Sequence, residues 1–332
     1  MSRVGVLGAG SWGTTLADLL ARQGHEVSLW AYEPEVVEQI NRERINGVFL
    51  PGCALAPTLT ADGDARRVAS GRDLLLSAIP SHAWGRVMSG VADAIAPGTL
   101  LVSATKGLET GTLRRMSEVA AEVVPQARFV VLSGPSFARE VYQRQPTAVV
   151  AASADSEAAR EAQAAFSSGH FRVYSHHDVP GVELGGALKN VIAIAAGILE
   201  GLGLGHNPKA ALITRGLAEM TRLGTAFGAE PRTFAGLAGL GDLVLTATGD
   251  LSRNRSLGIA LGQGASLAAY TAAHRTVAEG VNATQAALAL AARTGVELPI
   301  AARLADILFE GKPPRQAINE LMERTLKAEQ WT

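Results

Sequence analysis

A glycine-rich turn near the start of the chain constrains the fold more than any other feature. Val4 to Leu7 is a short apolar run, and Gly8-Ala9-Gly10-Ser11-Trp12-Gly13 follows it directly. An amphipathic stretch comes next and stops at Gly24, where a helix C-cap is expected. A glycine cluster between a strand and a helix predicts the opening of a dinucleotide-binding βαβ unit.

The three glycines of this turn have separate expected roles. Gly8 permits the tight turn, Gly10 lets the backbone approach a pyrophosphate, and Gly13 lets the helix pack closely against the strand. The helix N-terminus at Ser11 and Trp12 offers free N–H donors and the positive end of a dipole to an anion. A purely structural turn can show the same spacing, but the strand-turn-helix context favours a site for NAD or NADP.

Strand and helix patterns alternate over the first 178 residues. Short apolar runs predict strands at residues 4–7, 27–30, 74–79, 100–102, 129–132, 147–152 and 171–174. Helical patterns lie between them, including one from Ser156 to Phe166, and the stretch from Asn41 to Pro57 is loop-like. This alternation predicts an α/β fold with a Rossmann-type, doubly wound parallel sheet.

Helical patterns dominate from Val179 onwards. The clearest predicted helices are Leu184 to Leu199, Ala210 to Leu223, Asn282 to Arg293, Ile300 to Phe309 and Arg315 to Lys327. The length of 332 residues suits two domains, since a domain has about 150 residues. We therefore predict a dinucleotide-binding domain at residues 1–178 and an all-helical substrate and catalytic domain at residues 179–332.

Composition excludes several classes of protein. Hydrophobic residues make up 47% and charged residues 18%, which is the balance of an ordered chain with a large core. A net charge of -1 argues against sequence-independent nucleic-acid binding. With Cys53 as the single cysteine, we expect no disulfide and no metal site. The apolar run from Val191 to Leu199 is too short to span a membrane, so a cytoplasmic protein without membrane insertion is predicted.

Two charged residues in apolar surroundings are candidates for a catalytic role. Lys189, followed by Asn190, lies inside an apolar helical run, where a lysine costs free energy unless it is paired or used. A buried lysine suits proton transfer near neutral pH, although it can also extend its ammonium to the surface. Asp242 lies between glycines and aliphatic residues, and Lys189 is its expected cationic partner. The alternative for Asp242 is a helix N-cap.

Two further segments suit the binding of a small anionic ligand. Ser252-Arg253-Asn254-Arg255 places two guanidinium groups beside neutral donors, as a phosphate site needs, although a solvated loop would look similar. Lys106 and the segment from Ser133 to Ala138 follow predicted strands. The carboxyl edge of a doubly wound sheet is where ligands bind.

The end of the second predicted strand bears on the choice between NAD and NADP. An acidic residue about 20 residues after the glycine turn typically binds the ribose of NAD. Glu33, beside Tyr32, could do this, or it could be an exposed carboxylate at a helix start. Arg42 and Arg44 could reach a 2′-phosphate. The preference between the two cofactors stays open at this point.

Taken together, these motifs resemble the bacterial NAD(P)-dependent glycerol-3-phosphate dehydrogenases. The resemblance covers essentially the whole chain, in order and with compatible spacings. It is carried by six segments, which are Gly8 to Gly13, Ala104 to Glu109, Ser133 to Ala138, Gly185 to Asn190, Gly239 to Thr246 and Ser252 to Arg255.

The resemblance implies interconversion of sn-glycerol 3-phosphate and dihydroxyacetone phosphate with NAD(P), supplying glycerol 3-phosphate for phospholipid synthesis, in a homodimer. Lys189 would transfer the proton, assisted by Asp242 and Lys106. Substrate contacts would come from Lys106, Gly134, Ser136, Lys189, Asn190, Asp242, Ser252, Arg253 and Asn254. Cofactor contacts would come from Gly8, Gly10, Ser11, Trp12, Gly13, Tyr32, Lys106, Ala138, Arg253, Val277 and Glu279. Family members often carry Arg or His where this chain has Tyr32.

Two other functions are compatible with the same architecture. A dehydrogenase for another β-hydroxy acid or keto acid would bind a carboxylate in place of the phosphate. A redox sensor would bind the dinucleotide without oxidising it, and would have no need of Lys189 near Asp242.

Overall fold

A computed structural model describes residues 1–273, 279–326 and 328–329. Its strands are β1 (Arg3–Leu7), β2 (Glu26–Trp30), β3 (Ile45–Asn46), β4 (Leu50–Ala54), β5 (Thr60–Asp62), β6 (Leu74–Ser77), β7 (Leu100–Ser103), β8 (Arg128–Ser133), β9 (Thr147–Ala152) and β10 (Phe171–His176). All the strands predicted from apolar runs are therefore confirmed, except that β6 ends at Ser77 and not at residue 79.

Helices α1 to α7 lie among these strands. They are α1 (Ser11–Arg22), α2 (Pro34–Glu43), α3 (Ala65–Ala69), α4 (Ser81–Val91), α5 (Met116–Val123), α6 (Ala138–Tyr142) and α7 (Ser156–Phe166). The later helices are α8 (Val179–Gly201), α9 (His206–Ala226), α10 (Pro231–Phe234), α11 (Asp242–Thr248), α12 (Arg253–Gly262), α13 (Leu267–Ala273), α14 (Glu279–Thr294), α15 (Pro299–Phe309) and α16 (Pro314–Met322). A Rossmann-like sheet region followed by a helical region is thus confirmed.

The main sheet has the strand order β10-β9-β8-β7-β6-β1-β2-β5. Strands β8 and β9 pair antiparallel, which departs from the all-parallel sheet that the alternation predicts. The connection between them contains only the five-residue helix α6, which rises about 8 Å. That rise is too short to carry the chain back along β8, so β9 enters the sheet from the carboxyl edge.

The prediction of a loop between Asn41 and Pro57 is wrong. Helix α2 runs to Glu43, and β3 then pairs antiparallel with β4 in a small separate sheet. The buried side chains of Asn46, Leu50 and Cys53 hold this hairpin against the larger core. The sequence pattern missed it because such a short pair depends on packing against the rest of the domain.

The five helices predicted in the second half of the chain are confirmed, with one boundary correction. Helix α16 ends at Met322, whereas the pattern predicted helix up to Lys327, a residue outside the described part. Leu326 is 96% exposed, so no packing supports a further turn. Among the described residues, one helix, Val179–Gly201, is long and apolar enough to cross a membrane, so the expectation that this region is too short to span one is wrong. However, 94% of its apolar window is buried, as expected of a core helix.

The chain divides into two compact units. The first consists of Met1–Ala187 and Phe227–Asp242, and the second of Leu188–Ala226 and the described residues from Leu243 onwards. In the first unit, one face of the sheet packs on α1, α2 and α7 and the other on α3, α4 and α5. The second unit is built from helices, with the later part of α8 almost fully buried. The functional boundary at residues 178/179 stays a prediction.

Candidate functional site

The glycine turn in the first unit has the geometry that its spacing predicts. Gly8 has a φ of +111°, and a Cβ on it would lie 2.7 Å from the carbonyl oxygen of Ala78. A Cβ on Gly13 would lie 1.9 Å from the carbonyl oxygen of Gly8. A Cβ on Gly10 would have no heavy atom within 4 Å. Two glycines are therefore required by packing, and the third faces open space.

The start of α1, where the sequence predicts the pyrophosphate site, has no side-chain cap on its backbone donors. Gly10 is its N-cap, no side chain caps the helix, and its first turn holds no acidic residue. The indole Nε1 of Trp12 is buried and has no hydrogen-bond partner among the described residues. Helix α6 begins beside α1, since Thr15 Oγ1 donates to the carbonyl oxygen of Ala138 at 3.3 Å. Ser11, at the first position of α1, is half-buried.

Tyr32 lies just beyond the carboxyl end of β2. Its side chain is 81% exposed. Glu33 is the N-cap of α2, but its side chain makes no capping bond. Of the two arginines considered for a 2′-phosphate, Arg42 pairs with Glu38 at 2.5 Å, and Arg44 donates to the carbonyl oxygen of Leu59 at 2.8 Å.

Lys106, Gly134, Ser136 and Asp242 meet in the first unit. Lys106 Nζ lies 2.6 Å from Asp242 Oδ2 and 2.9 Å from the carbonyl oxygen of Gly134. Ser136 Oγ donates to the same carbonyl at 3.1 Å. The Asp242 side chain is only 1% exposed and that of Lys106 is 16% exposed. Lys106 is thus a partner of Asp242 that sequence analysis did not identify.

A tightly packed turn precedes the buried Asp242. The chain makes a wide helical turn at Leu237–Gly241, and the N–H of Gly241 donates to the carbonyl oxygen of Gly236 at 3.1 Å. A Cβ on Gly239 would lie 2.2 Å from the carbonyl oxygen of Phe234. Gly239 is therefore needed for close packing, whereas a Cβ on Gly241 would make only ordinary contacts, and the turn leads the chain directly into α11.

Lys189 is buried in the second unit, where it is 6% exposed. Its ammonium donates to Thr246 Oγ1 at 2.9 Å, and Thr246 is also buried. Sequence analysis missed this partner. The available signal was the spacing, because Thr246 follows Asp242 by four residues and so shares its face of α11. The pairing of Asp242 with Lys189 stays a prediction.

The start of α12 brings further predicted residues together. Asn254 Nδ2 donates to Asn190 Oδ1 at 3.0 Å, and Asn254 Oδ1 accepts from the N–H of Gly280 at 3.0 Å. Ser252 is the N-cap, since its side chain accepts from the N–H of Arg255 at 3.2 Å. Arg253, the first residue of the helix, is exposed.

The two arginines of this segment have different surroundings. Arg255 is buried and pairs with Glu200 at 2.6 Å and with Asp250 at 2.9 Å. Its guanidinium is therefore committed within the protein. Of the two guanidinium groups that the sequence suggested for phosphate binding, only that of exposed Arg253 is presented to an incoming ligand.

Helices α8 and α12 cross at glycines, and this crossing sets the position of Asn254. A Cβ on Gly197 would lie 2.1 Å from the carbonyl oxygen of Arg255, and one on Gly258 would lie 2.0 Å from that of Ile194. Only hydrogen atoms at both positions allow the backbones to approach so closely. The contact brings the first turn of α12 within hydrogen-bond distance of Asn190.

Two cofactor candidates remain, Glu279 and Val277. Glu279 is the first residue of α14 and is half-buried. Val277 lies outside the described residues. Within the described part of the chain, no three His, Cys, Asp or Glu side chains form a group that could hold a metal ion.

Comparison with protein families gives two matches that follow one another along the chain. Residues 3–159 match the N-terminal model of NAD-dependent glycerol-3-phosphate dehydrogenase, and residues 178–319 match the C-terminal model. The chain belongs to this family. Its activity is the interconversion of glycerol 3-phosphate and dihydroxyacetone phosphate, with NAD(P) as coenzyme.

Individual relatives agree with the family match. The chain is 58% identical over 332 residues to a glycerol-3-phosphate dehydrogenase (NAD(P)+) of Geobacter sulfurreducens, with 99% of each chain covered. It is 57% identical to that of Geobacter metallireducens, with 98% of each covered. The crystal structure of glycerol-3-phosphate dehydrogenase from Coxiella burnetii is 43% identical, with a TM-score of 0.93, over 97% of this chain and 99% of that one.

More distant structures share the fold alone. A ketopantoate reductase from Ralstonia eutropha is 17% identical with a TM-score of 0.60, over 97% of this chain and 100% of that one. Family membership decides against both the keto-acid dehydrogenase and the redox-sensor alternatives. The two-domain architecture alone would not have separated them from the family's own activity.

Proposed function

We propose that Lys189 is the proton-transferring residue of the glycerol-3-phosphate dehydrogenase reaction. The observation that carries this is the burial of its ammonium in an apolar helix, with a hydroxyl, Thr246 Oγ1, as a hydrogen-bond partner at 2.9 Å. A lysine ammonium can donate a hydrogen bond to an oxygen of the substrate and can also transfer its proton to that oxygen.

Charge development in the reaction explains why an ammonium is needed. A bound nicotinamide would supply hydride to the middle carbon of dihydroxyacetone phosphate, or would accept it in the reverse direction. Negative charge then builds on the former carbonyl oxygen. Lys189 stabilises that charge and delivers a proton to the oxygen, and in the reverse direction it accepts the proton from the hydroxyl.

Lys106 and Asp242 are proposed to support this step. Asp242 fixes the ammonium of Lys106 at 2.6 Å, and by our hypothesis it also positions Lys189 and adjusts its basicity. Lys106 contributes a second positive charge to the field acting on the substrate. The carbonyl oxygen of Gly134 and the hydroxyl of Ser136 lie around Lys106 and supply polar contacts for the substrate.

The first turn of α12 is the proposed binding site for the phosphate group. Arg253 is exposed at the first helical position, and Ser252 and Asn254 flank it. A helix N-terminus and a guanidinium both favour a dianionic phosphate. Binding energy from this non-reacting group would orient the ketone for reaction.

The proposed setting of the enzyme follows from the family. Production of glycerol 3-phosphate would supply phospholipid synthesis, and the enzyme would act in the cytoplasm. We also propose that it forms a homodimer. Sedimentation of the purified protein would test the last point, and a monomer at micromolar concentration would refute it.

Replacing Lys189 tests the proposed proton transfer. In Lys189→Ala, kcat for reduction of dihydroxyacetone phosphate should fall by about two to four orders of magnitude, because the proton donor is lost. Binding of NADH should be retained. The measurement is nicotinamide absorbance with NADH and NADPH in turn, and in the unmodified enzyme the same assay determines the cofactor preference.

Lys209→Ala is the matched control for this experiment. Lys209 lies in the same unit and pairs with Glu200 at 2.7 Å, but it has no proposed part in the reaction. Its loss should leave kcat within about twofold. Turnover near normal in Lys189→Ala would remove Lys189 from the proposed role.

A further inference from the structure

Asn46 is a buried polar residue next to the glycine turn, and none of the roles above uses it. It lies at the end of β3 and has no solvent exposure. Its Nδ2 donates to the carbonyl oxygen of Ala9 at 2.9 Å and to Thr14 Oγ1 at 2.9 Å. A hairpin that is distant in sequence is therefore joined directly to the middle of the turn.

The orientation of the Asn46 amide is fixed from both ends. Its Oδ1 accepts from the N–H of Phe49 at 3.0 Å, so Nδ2 must be the donor toward the turn. The hairpin itself is held by Arg22, whose guanidinium donates to the carbonyl oxygen of Ala54 at 2.8 Å. The Asn46 side chain thus connects the hairpin to the turn through hydrogen bonds at both ends of its amide.

This contact determines which way the Ala9–Gly10 peptide faces. The peptide is trans and planar, so its N–H points opposite to its C=O. Because Asn46 holds the carbonyl of Ala9 on the protein side, the N–H of Gly10 is directed away from Asn46. Without side-chain donors to the carbonyl of Ala9, Gly10 would make the peptide easy to rotate, since glycine restricts the backbone least.

We propose that Asn46 is a positioning residue for cofactor binding, which holds the Ala9–Gly10 peptide with its N–H toward the pyrophosphate. Thr14 shares this task, because its hydroxyl donates to the same carbonyl oxygen at 3.0 Å. The inference rests on dinucleotide binding at the glycine turn. It does not depend on the role proposed for Lys189.

Asn46→Asp tests the proposal with little change of shape. The variant keeps an acceptor for the N–H of Phe49 but loses both N–H donors to the turn. We expect the Kd for NADH to rise about tenfold or more, the loss produced by one misplaced buried hydrogen bond. The KM for dihydroxyacetone phosphate should stay within about twofold. Calorimetric titration with NADH gives the first value directly, whether or not the enzyme turns over.

Two control variants separate positioning from a general loss of stability. Asn41 also bonds to backbone through both ends of its amide, to the N–H and the carbonyl oxygen of Ala61, but it does not touch the turn. Ser153 is buried just after β9, away from the glycine turn, and its hydroxyl donates to the carbonyl oxygen of Phe129. Asn41→Asp and Ser153→Ala should lower the melting temperature without changing the Kd for NADH.

A second variant keeps the proposal testable if Asn46→Asp does not fold. Thr14→Val retains the shape of a fully buried side chain and removes the other donor to Ala9. It should weaken NADH binding several-fold. An unchanged Kd for NADH in either folded variant would overturn the proposal. Near-normal turnover in Lys189→Ala would refute the role of Lys189 but would leave this inference unaffected, because the Kd for NADH in the Asn46 and Thr14 variants is measured without turnover.

Discussion

The buried pair of Lys106 and Asp242 provides the most direct test of how the first unit is stabilised. Asp242→Asn removes the charge of a carboxylate that is 1% exposed, while it keeps the size and one acceptor oxygen. The ammonium of Lys106, 2.6 Å away, then becomes a largely buried cation with a neutral neighbour.

The structure gives the size of the expected loss. Two unit charges 4 Å apart attract by about 4 kcal/mol at an effective dielectric constant of about 20. Breaking a buried pair typically costs about 3–5 kcal/mol, because one charge is left without compensation. Since asparagine still accepts a hydrogen bond, we expect Asp242→Asn to lower the free energy of unfolding by about 3 kcal/mol.

Urea denaturation followed by circular dichroism measures this loss, and Asp250→Asn is the matched control. Asp250 also pairs with a cation, Arg255 at 2.9 Å, but its side chain is 93% exposed. Solvent screening makes such surface pairs weak, so the control should show no measurable change. Lys106→Gln, made alone and together with Asp242→Asn, completes a double-mutant cycle that isolates this pair. If Asp242→Asn is as stable as the control, the reasoning from burial is refuted.

Two other predictions concern the second unit. Arg253→Ala should raise the KM for dihydroxyacetone phosphate about ten- to a hundred-fold, because a charged hydrogen bond contributes about 1.5–3 kcal/mol. The KM for NADH should change much less. Equal effects on both KM values would show that Arg253 does not bind the phosphate. Burial raises the pKa of the Glu219 carboxyl from 4.5 to about 7. Between these two pH values the unfolded state binds fewer protons than the folded state, so the free energy of unfolding should fall as the pH rises. In Glu219→Gln, urea midpoints at pH 5 and pH 8 should differ less than in the unmodified protein; an unchanged difference would contradict the assignment.

Several parts of the fold could be predicted from local pattern alone. A strand buried on both faces reads as a continuous apolar run, as at Leu74–Ser77. Gly8 and Gly13 occupy positions where a Cβ would overlap backbone atoms, so only glycine fits there and the spacing of the glycines predicts the turn. These features can be predicted because strand, turn and helix follow one another directly in the chain.

Other features depend on partners that lie far apart in sequence. Lys106 and Asp242 are separated by 136 positions, and Asn46 lies 37 positions from Ala9. No periodicity links such residues. Arg253 and Arg255 are two positions apart and look equivalent as letters, yet only the structure shows that Arg255 pairs with Glu200.

The sequence by itself determined the Rossmann-like order of strands and helices, the helical second half, the glycine turn and the family. Each of these is encoded in neighbouring residues or in ordered motifs. The tertiary structure decided which buried groups meet: Lys106 with Asp242, Lys189 with Thr246, and Asn46 with the glycine turn. A buried polar side chain must find a partner, but packing of the whole unit selects which one is within hydrogen-bond distance.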